Sequence, residues 1–344
     1  MKLKFNPDML ILAREVRGLS QQELAQHLNM QKAWLSKVEN DNLRISEEKL
    51  VKIAQLTSFR ILFFYKKNRI IHSPLSFRRR NKVPASVISP LEARMNLACI
   101  DICQLTTRLE MVPPKLPHYS LSEDLTPAQA AQQLRQHWKC KEAIIDNLTQ
   151  LLERMGIFVV SFDFETDRID SRVLLTENGF PVIFVNKRLK GDRQRFSLAF
   201  ELGHLVLHTQ ELIAEERDIQ HESNLFAAAF LMPEAAVRKD IKTPVTLLHL
   251  GDLKRKWKVS MISLLYRADD LGLMTQSHKQ NLIQQFNQMK LRRHEPPHLD
   301  IAAEQPELLK NCFRKLVTDP KADLADSLSP SFCFLPDEFR QMYY

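Results

Sequence analysis

The sequence predicts an α+β protein, mostly helical, with a five-helix N-terminal unit ahead of a larger helical unit that carries a small β-sheet. Three observations predict it. Apolar residues recur at helical spacing behind Ser or Thr starts such as SQQE, SEEK and TPAQ. Two runs, IFVVSFDF and RVLLTENGFPVIFVNKR, are β-branched and aromatic enough to be strands. With 344 residues, the chain also exceeds one ordinary domain.

Composition narrows the partners. A hydrophobic share of 44% and a charged share of 26% describe a globular chain and exclude a disordered one. The 49 Lys+Arg against 41 Asp+Glu leave a net charge of +8, which favours a polyanion. Cys99, Cys103, Cys140, Cys312 and Cys333 are scattered and form no CxxC, so they read as reduced thiols rather than a disulfide framework. The start MKLKFNPDML is too polar for a signal peptide, and no apolar run reaches a membrane span. The expected setting is cytoplasmic, with no membrane partner.

In chain order, MLILAREVR (residues 9–17) has helical spacing and stops at Gly18. Ser20 then heads SQQE, a capping box in which Glu23 reaches back to the cap amide. The second helix, ELAQHL, keeps small Ala25 where a neighbour must come close, and Asn29 follows in a sharp turn that needs positive φ. The third, QKAWLSKVEN, turns Leu35 and Val38 inward and Lys32, Ala33, Ser36 and Lys37 outward. A further helix starts at Ser46, and the apolar RILFFY follows it. Two short helices around a tight turn, the next one polar-faced, suit reading of a DNA major groove.

LSQQELAQHLNMQKAWLSKVEN resembles the core of the XRE-type helix-turn-helix family of phage-repressor type, with Asn29 and Asp41 standing where glycine is usual. The resemblance implies a lambda-repressor-like domain over residues 1–66 that binds a double-stranded DNA operator, commonly as a homodimer. It implies that Gln21 touches phosphate and that Lys32, Ala33 and Lys37 face base edges, with Ser36 beside them. Trp34 has two readings, resting on DNA or covering the core beside Leu35, and the second is favoured.

Residues 67–119 read as a basic and helical connector. Arg78, Arg79, Arg80 and Lys82 either extend the electrostatic footprint or form a solvated linker. PLEARMNLACIDICQLTTRLEM is helical in pattern, and Pro113, Pro114 and Pro117 then break the chain. From Thr126-Pro127, a capped start, come two helices, the strands with a turn at Asn178-Gly179, and the helices RQRFSLAFELGHLVLH and HESNLFAAAFLMP.

This order resembles the ImmA/IrrE family of zinc metallopeptidases over roughly residues 120–272, so a zincin-like domain is expected at 120–275. The family's core helix reads HELGH. Here Glu201 fits its general base, His204 its second histidine and Glu222 the third zinc ligand, while Phe200 stands at the first histidine. Two histidines four apart on a helix clamp one zinc, and the glutamate between them polarises its water. Phe donates nothing, so the resemblance implies a weak or vacant zinc site. His208 is either a packing histidine or a substitute ligand, and His221 stands beside Glu222. The basic Lys254, Arg255, Lys256 and Lys258 around Trp257 belong either to a second DNA-binding element or to a helical unit packed on the core, and packing is favoured. Residues 276–344 are a helical and irregular extension.

The reading adopted is a DNA-binding regulator whose peptidase-like domain serves sensing, dimerisation or partner binding, without zinc unless the site is compensated. The alternatives are an active zinc metallopeptidase cleaving a repressor or antitoxin, and an antitoxin-like or phage-defence accessory protein.

Overall fold

The computed structural model describes residues 4–72, 75, 78–79, 83–210, 216–292, 294–319 and 321–344. Of the basic connector residues, Arg80, Lys82 and the side chain of Arg79 lie outside the described residues. No described helix is long and apolar enough to cross a membrane.

The first unit comprises α1 (Pro7–Val16), α2 (Gln21–His27), α3 (Lys32–Glu39), α4 (Glu47–Thr57) and, as its fifth element, a 3-10 turn at Ile61–Tyr65. Ser20 accepts from the Glu23 amide at 3.2 Å while Glu23 accepts from the Ser20 amide at 2.7 Å, so the capping box is complete. Asn29 has φ 52° and Asp41 φ 57°, left-handed values that Asn and Asp tolerate better than most residues.

The connector holds α5 (Ala85–Arg108), which packs along α1. Beyond it lie α6 (Pro127–His137), capped by Thr126, and α7 (Leu148–Arg154), capped by Asn147. Helical pattern from Ala143 predicts an earlier start for α7. The carbonyls of Glu142 and Ala143 are instead taken by Arg135 and that of Ile145 by Arg195, so the backbone there is hydrogen-bonded without winding.

Strands β1 (Arg78–Arg79), β2 (Phe158–Phe162), β3 (Ile169–Leu175) and β4 (Pro181–Asn186) form one sheet in the order β1-β3-β4-β2, with β2 parallel to β4 and the other pairs antiparallel. Of the predicted Asn178-Gly179 turn, only Gly179 takes positive φ, at 86°. Its amide donates to the Thr176 carbonyl at 2.9 Å, which makes a three-residue loop rather than a two-residue one.

Side chains alternate across the sheet, so each face carries its own core. Val159, Val173, Ile183 and Val185 face α8 (Gly191–Leu207) and α9 (Ile219–Leu231). The remaining helices of that layer are α10 (Glu234–Asp240), α11 (Leu247–Trp257), α12 (Met261–Asp270) and α13 (Gln276–Gln288). Phe158, Val160, Phe162, Val182 and Phe184 face the other way. They belong to one buried cluster with α1, α5 and the closing helices α14 (Leu308–Arg314), α15 (Leu324–Leu328) and α16 (Pro336–Tyr343).

Two long-range ties secure the C-terminal stretch. Buried Asp101 on α5 accepts from the Cys333 amide at 2.8 Å and the Tyr343 hydroxyl at 3.1 Å. Residues 301–308 cross the start of α8 and the end of α7. The Gly191 amide donates to the Ile301 carbonyl at 3.0 Å, Glu304 accepts from the Thr149 amide at 2.7 Å and pairs with Arg195, and Glu153 accepts from the Leu308 amide at 2.9 Å.

Candidate DNA-reading face and metallopeptidase-like centre

On α3, Lys32, Ala33 and Lys37 are exposed and Ser36 is half-buried, while Leu35 and Val38 are buried. The four outward positions therefore share one side of the helix, as 3.6 residues per turn requires. Trp34 is half-buried against the first core, with the Lys49 ammonium 5.5 Å from its ring centroid. Gln21 donates to Glu39 Oε2 at 2.6 Å. That bond uses one of its two amide hydrogens and fixes the side chain at the start of α2.

The second site lies between α8 and α9. Gly203 permits the approach of these helices, because a Cβ there would sit 3.0 Å from the Phe226 ring. Phe200, Glu201, His204 and His208 come from α8 and its C-cap, Glu222 and Ser223 from the first turn and a half of α9. His204 Nδ1 lies 2.9 Å from His208 Nδ1, and His208 Nε2 lies 2.8 Å from Glu222 Oε2. In neutral His208 the carboxylate fixes the proton on Nε2, so Nδ1 accepts from His204 Nδ1. His204 is then left with a lone pair on Nε2, an atom that is buried and has no partner among the described residues. Burial, with His208 and Arg78 nearby, lowers the His204 pKa to about 3, so its ring is neutral.

Glu222 is also gripped by Arg217, whose Nε is 3.1 Å from Oε1 and whose Nη2 is 2.8 Å from Oε2. Burial pushes its carboxyl up, but the hydrogen bonds from Arg217 and His208 and the Arg217 charge outweigh that and hold it below the usual glutamate range.

Glu201, three residues before His204 on α8 and so about 60° round the helix from it, is engaged by the sheet. Its Oε1 accepts from Ser171 Oγ of β3 at 2.6 Å, and it is 1% exposed. Burial raises its pKa to about 7 against the lowering effects of Ser171, Arg78 and Arg172. Phe200 is fully buried and meets the His204 ring edge-on at 4.8 Å between centroids. The Arg78 guanidinium, brought by β1, sits 4.6 Å from the Phe200 centroid and 4.7 Å from that of Phe196. Such stacking is favoured by the ring quadrupole.

The structure thus brings Phe200, His204, His208 and Glu222 together, keeps Glu201 against the sheet, and leaves His221 on the exposed side of α9. Ser223, which the sequence places after Glu222 where the family has alanine, lies with Oγ 3.2 Å from His204 Nδ1. Sequence reasoning missed Arg217, Ser171 and the stacking role of Arg78, and none of the three repeats at a helical or strand period that ties it to the HELGH-like stretch.

These donors do not fit a catalytic zinc ion as arranged. Such an ion needs three protein donors converging on one point. Here Glu222 and both nitrogens of His208 are spent on each other, on Arg217 and on His204, which leaves Nε2 of His204 as the uncommitted donor of the set. Among the described residues, no group of three His, Cys, Asp or Glu side chains is placed to hold a metal.

Comparison with known proteins agrees with both halves. Residues 10–61 match the helix-turn-helix family and residues 152–269 the IrrE N-terminal-like domain family. The chain therefore has a segment similar to helix-turn-helix domains followed by one similar to the IrrE N-terminal-like domain. A specific relative is the radiation response metalloprotease IrrE of Deinococcus radiodurans, 33% identical over 97 residues, covering 25% of this chain. The aligned stretch spans 30% of that relative's length.

Proposed function

We propose that this chain is a sequence-specific transcriptional regulator that binds double-stranded operator DNA through α3, and whose metallopeptidase-type domain is a pseudoenzyme used for sensing, dimerisation or partner binding. In this reading Lys32, Ala33, Ser36 and Lys37 read bases, Gln21 braces a phosphate, and Trp34 belongs to the core. Two chains bind an inverted repeat with half-sites about one DNA turn apart.

The observation that carries the loss of catalysis is Phe200, one helical turn before His204, buried and covered by Arg78. At that position the ImmA/IrrE resemblance calls for a zinc-binding histidine, and Glu201, the residue at the general-base position, is sealed against Ser171. The lone pair on His204 Nε2 is the one feature that favours the peptidase reading, since it is a donor of the type zinc takes.

The test is zinc per chain, measured after purification without chelator, in the natural protein and in Phe200→His. The expected result is little zinc in the first and a marked gain in the second. Near-stoichiometric zinc in the natural protein, together with peptide hydrolysis that a chelator abolishes, overturns the pseudoenzyme reading.

A further inference from the structure

A cavity of about 320 Å³ lies where the end of the DNA-binding unit meets the C-terminal segment. Ligand pockets begin at about this size. Its walls come from three parts of the chain: residues 58–66, Gln104 on α5, and residues 329–335. The rings of Phe59 and Phe63 stack with centroids 4.3 Å apart, and Phe332 faces the same cavity from the C-terminal side.

The polar part of the lining has one sign of charge. Arg60 and Lys66 both line the cavity, and no Asp or Glu does so among the described residues. Arg60 donates to the Pro330 carbonyl. Lys66 donates to Gln104 Oε1 at 2.9 Å, and Gln104 in turn donates to the Ser331 carbonyl at 2.9 Å. Both cations are therefore held in place by neutral acceptors, which orient them without cancelling their charge. The buried Asp101 feels the Lys66 charge but forms no ion pair with it among the described residues. Oriented, unneutralised cations beside an aromatic wall are complementary to an anion on an apolar body.

We propose that this cavity is a binding site for a small organic anion, a carboxylate, sulfonate or phosphate carried on an aromatic body of one or two rings. Lys66 and Arg60 hold the anionic group, and Phe59, Phe63 and Phe332 pack against the body. The bound molecule touches the DNA-binding unit and the C-terminal segment at once. This inference goes beyond the regulator reading and is tested without DNA, so each stands or falls alone.

The probe is 8-anilinonaphthalene-1-sulfonate, titrated by fluorescence into the full chain, with neutral N-phenyl-1-naphthylamine as the matched uncharged control. The expected result is one saturable site per chain for the sulfonate, roughly tenfold weaker for the neutral control and for Arg60→Gln/Lys66→Gln. Lys66→Arg, which keeps the charge, retains binding. Ser331→Trp, which fills the cavity and leaves both cations in place, abolishes it, so a failure of the double variant to fold does not decide the matter. Non-saturating binding, equal affinity for the neutral probe, or full binding by Ser331→Trp overturns the proposal.

Discussion

Arg14 of α1 and Glu39 at the end of α3 form a buried ion pair, with Nε 2.7 Å from Oε1 and Nη2 3.3 Å from Oε2. Gln21 at the start of α2 donates to the same carboxylate, so one side chain ties the first three helices together. Removing one partner of such a pair strands a charge, whereas replacing both with apolar residues does not. Glu39→Ala leaves Arg14 with Glu15 at 3.3 Å and the Leu19 carbonyl at 2.8 Å, so it is expected to cost about 3 kcal/mol in urea unfolding, and Arg14→Met/Glu39→Leu less. Equal losses would show that packing, not charge, governs this site.

The exposed face of α3 gives a second expectation, resting on the regulator reading. Lys32→Ala/Lys37→Ala removes two solvent-facing side chains, so the melting temperature should hold. Specific affinity should fall by about 1–3 kcal/mol for each Lys that reads a base edge, and the salt dependence should flatten. Anisotropy titrations of operator and scrambled duplexes over a salt series measure both. Unchanged discrimination would remove α3 as the reading helix.

Glu201 and His204 set opposite pH dependences. With its pKa raised from 4.5 to about 7, Glu201 contributes stability that is complete below about 4.5 and is lost as pH rises through 7. His204, lowered from 6.5 to about 3, contributes stability present above 6.5 and lost as pH falls toward 3. Comparing Glu201→Gln with the natural protein isolates the first. The variant should gain relative stability between about pH 4.5 and 7, on the order of 3 kcal/mol at most. A pH-independent difference in denaturant midpoints would contradict the buried-acid assignment.

Gly191 tests the crossing of α8 by the C-terminal stretch. A Cβ there would lie 2.1 Å from the Ala302 carbonyl oxygen, a backbone atom with no flexible end to move aside. Gly191→Ala should therefore destabilise by about 1–3 kcal/mol or more and expose residues 301–308 to limited proteolysis. Resistance equal to the natural protein would mean that this crossing relaxes freely.

Local chemistry makes much of the molecule legible. The Ser20–Glu23 and Thr126–Gln129 capping boxes, the left-handed turns at Asn29 and Asp41, and the α8–α9 pair that holds His204 near Glu222 each follow from residues within a few positions of one another or on neighbouring helices. What escapes depends on partners far apart in sequence. Arg78 reaches Phe200 across more than a hundred positions because β1 pairs with β3, and a two-residue strand leaves no periodic trace. Likewise, nothing near Asp101 announces that Cys333 and Tyr343 will bond to it. The start of α7 is hidden for the same reason, since the apolar pattern of residues 143–146 says nothing of Arg135 and Arg195, which claim the carbonyls.

The buried cluster that runs from α1 through α5 onto the sheet has an evolutionary corollary. A recombination that carried off only the first four helices would take with it a raw apolar flank where α5 had lain. The boundary of that unit as a folding piece therefore does not lie at the end of the helix-turn-helix, because α5 must cover the flank wherever the four helices are placed.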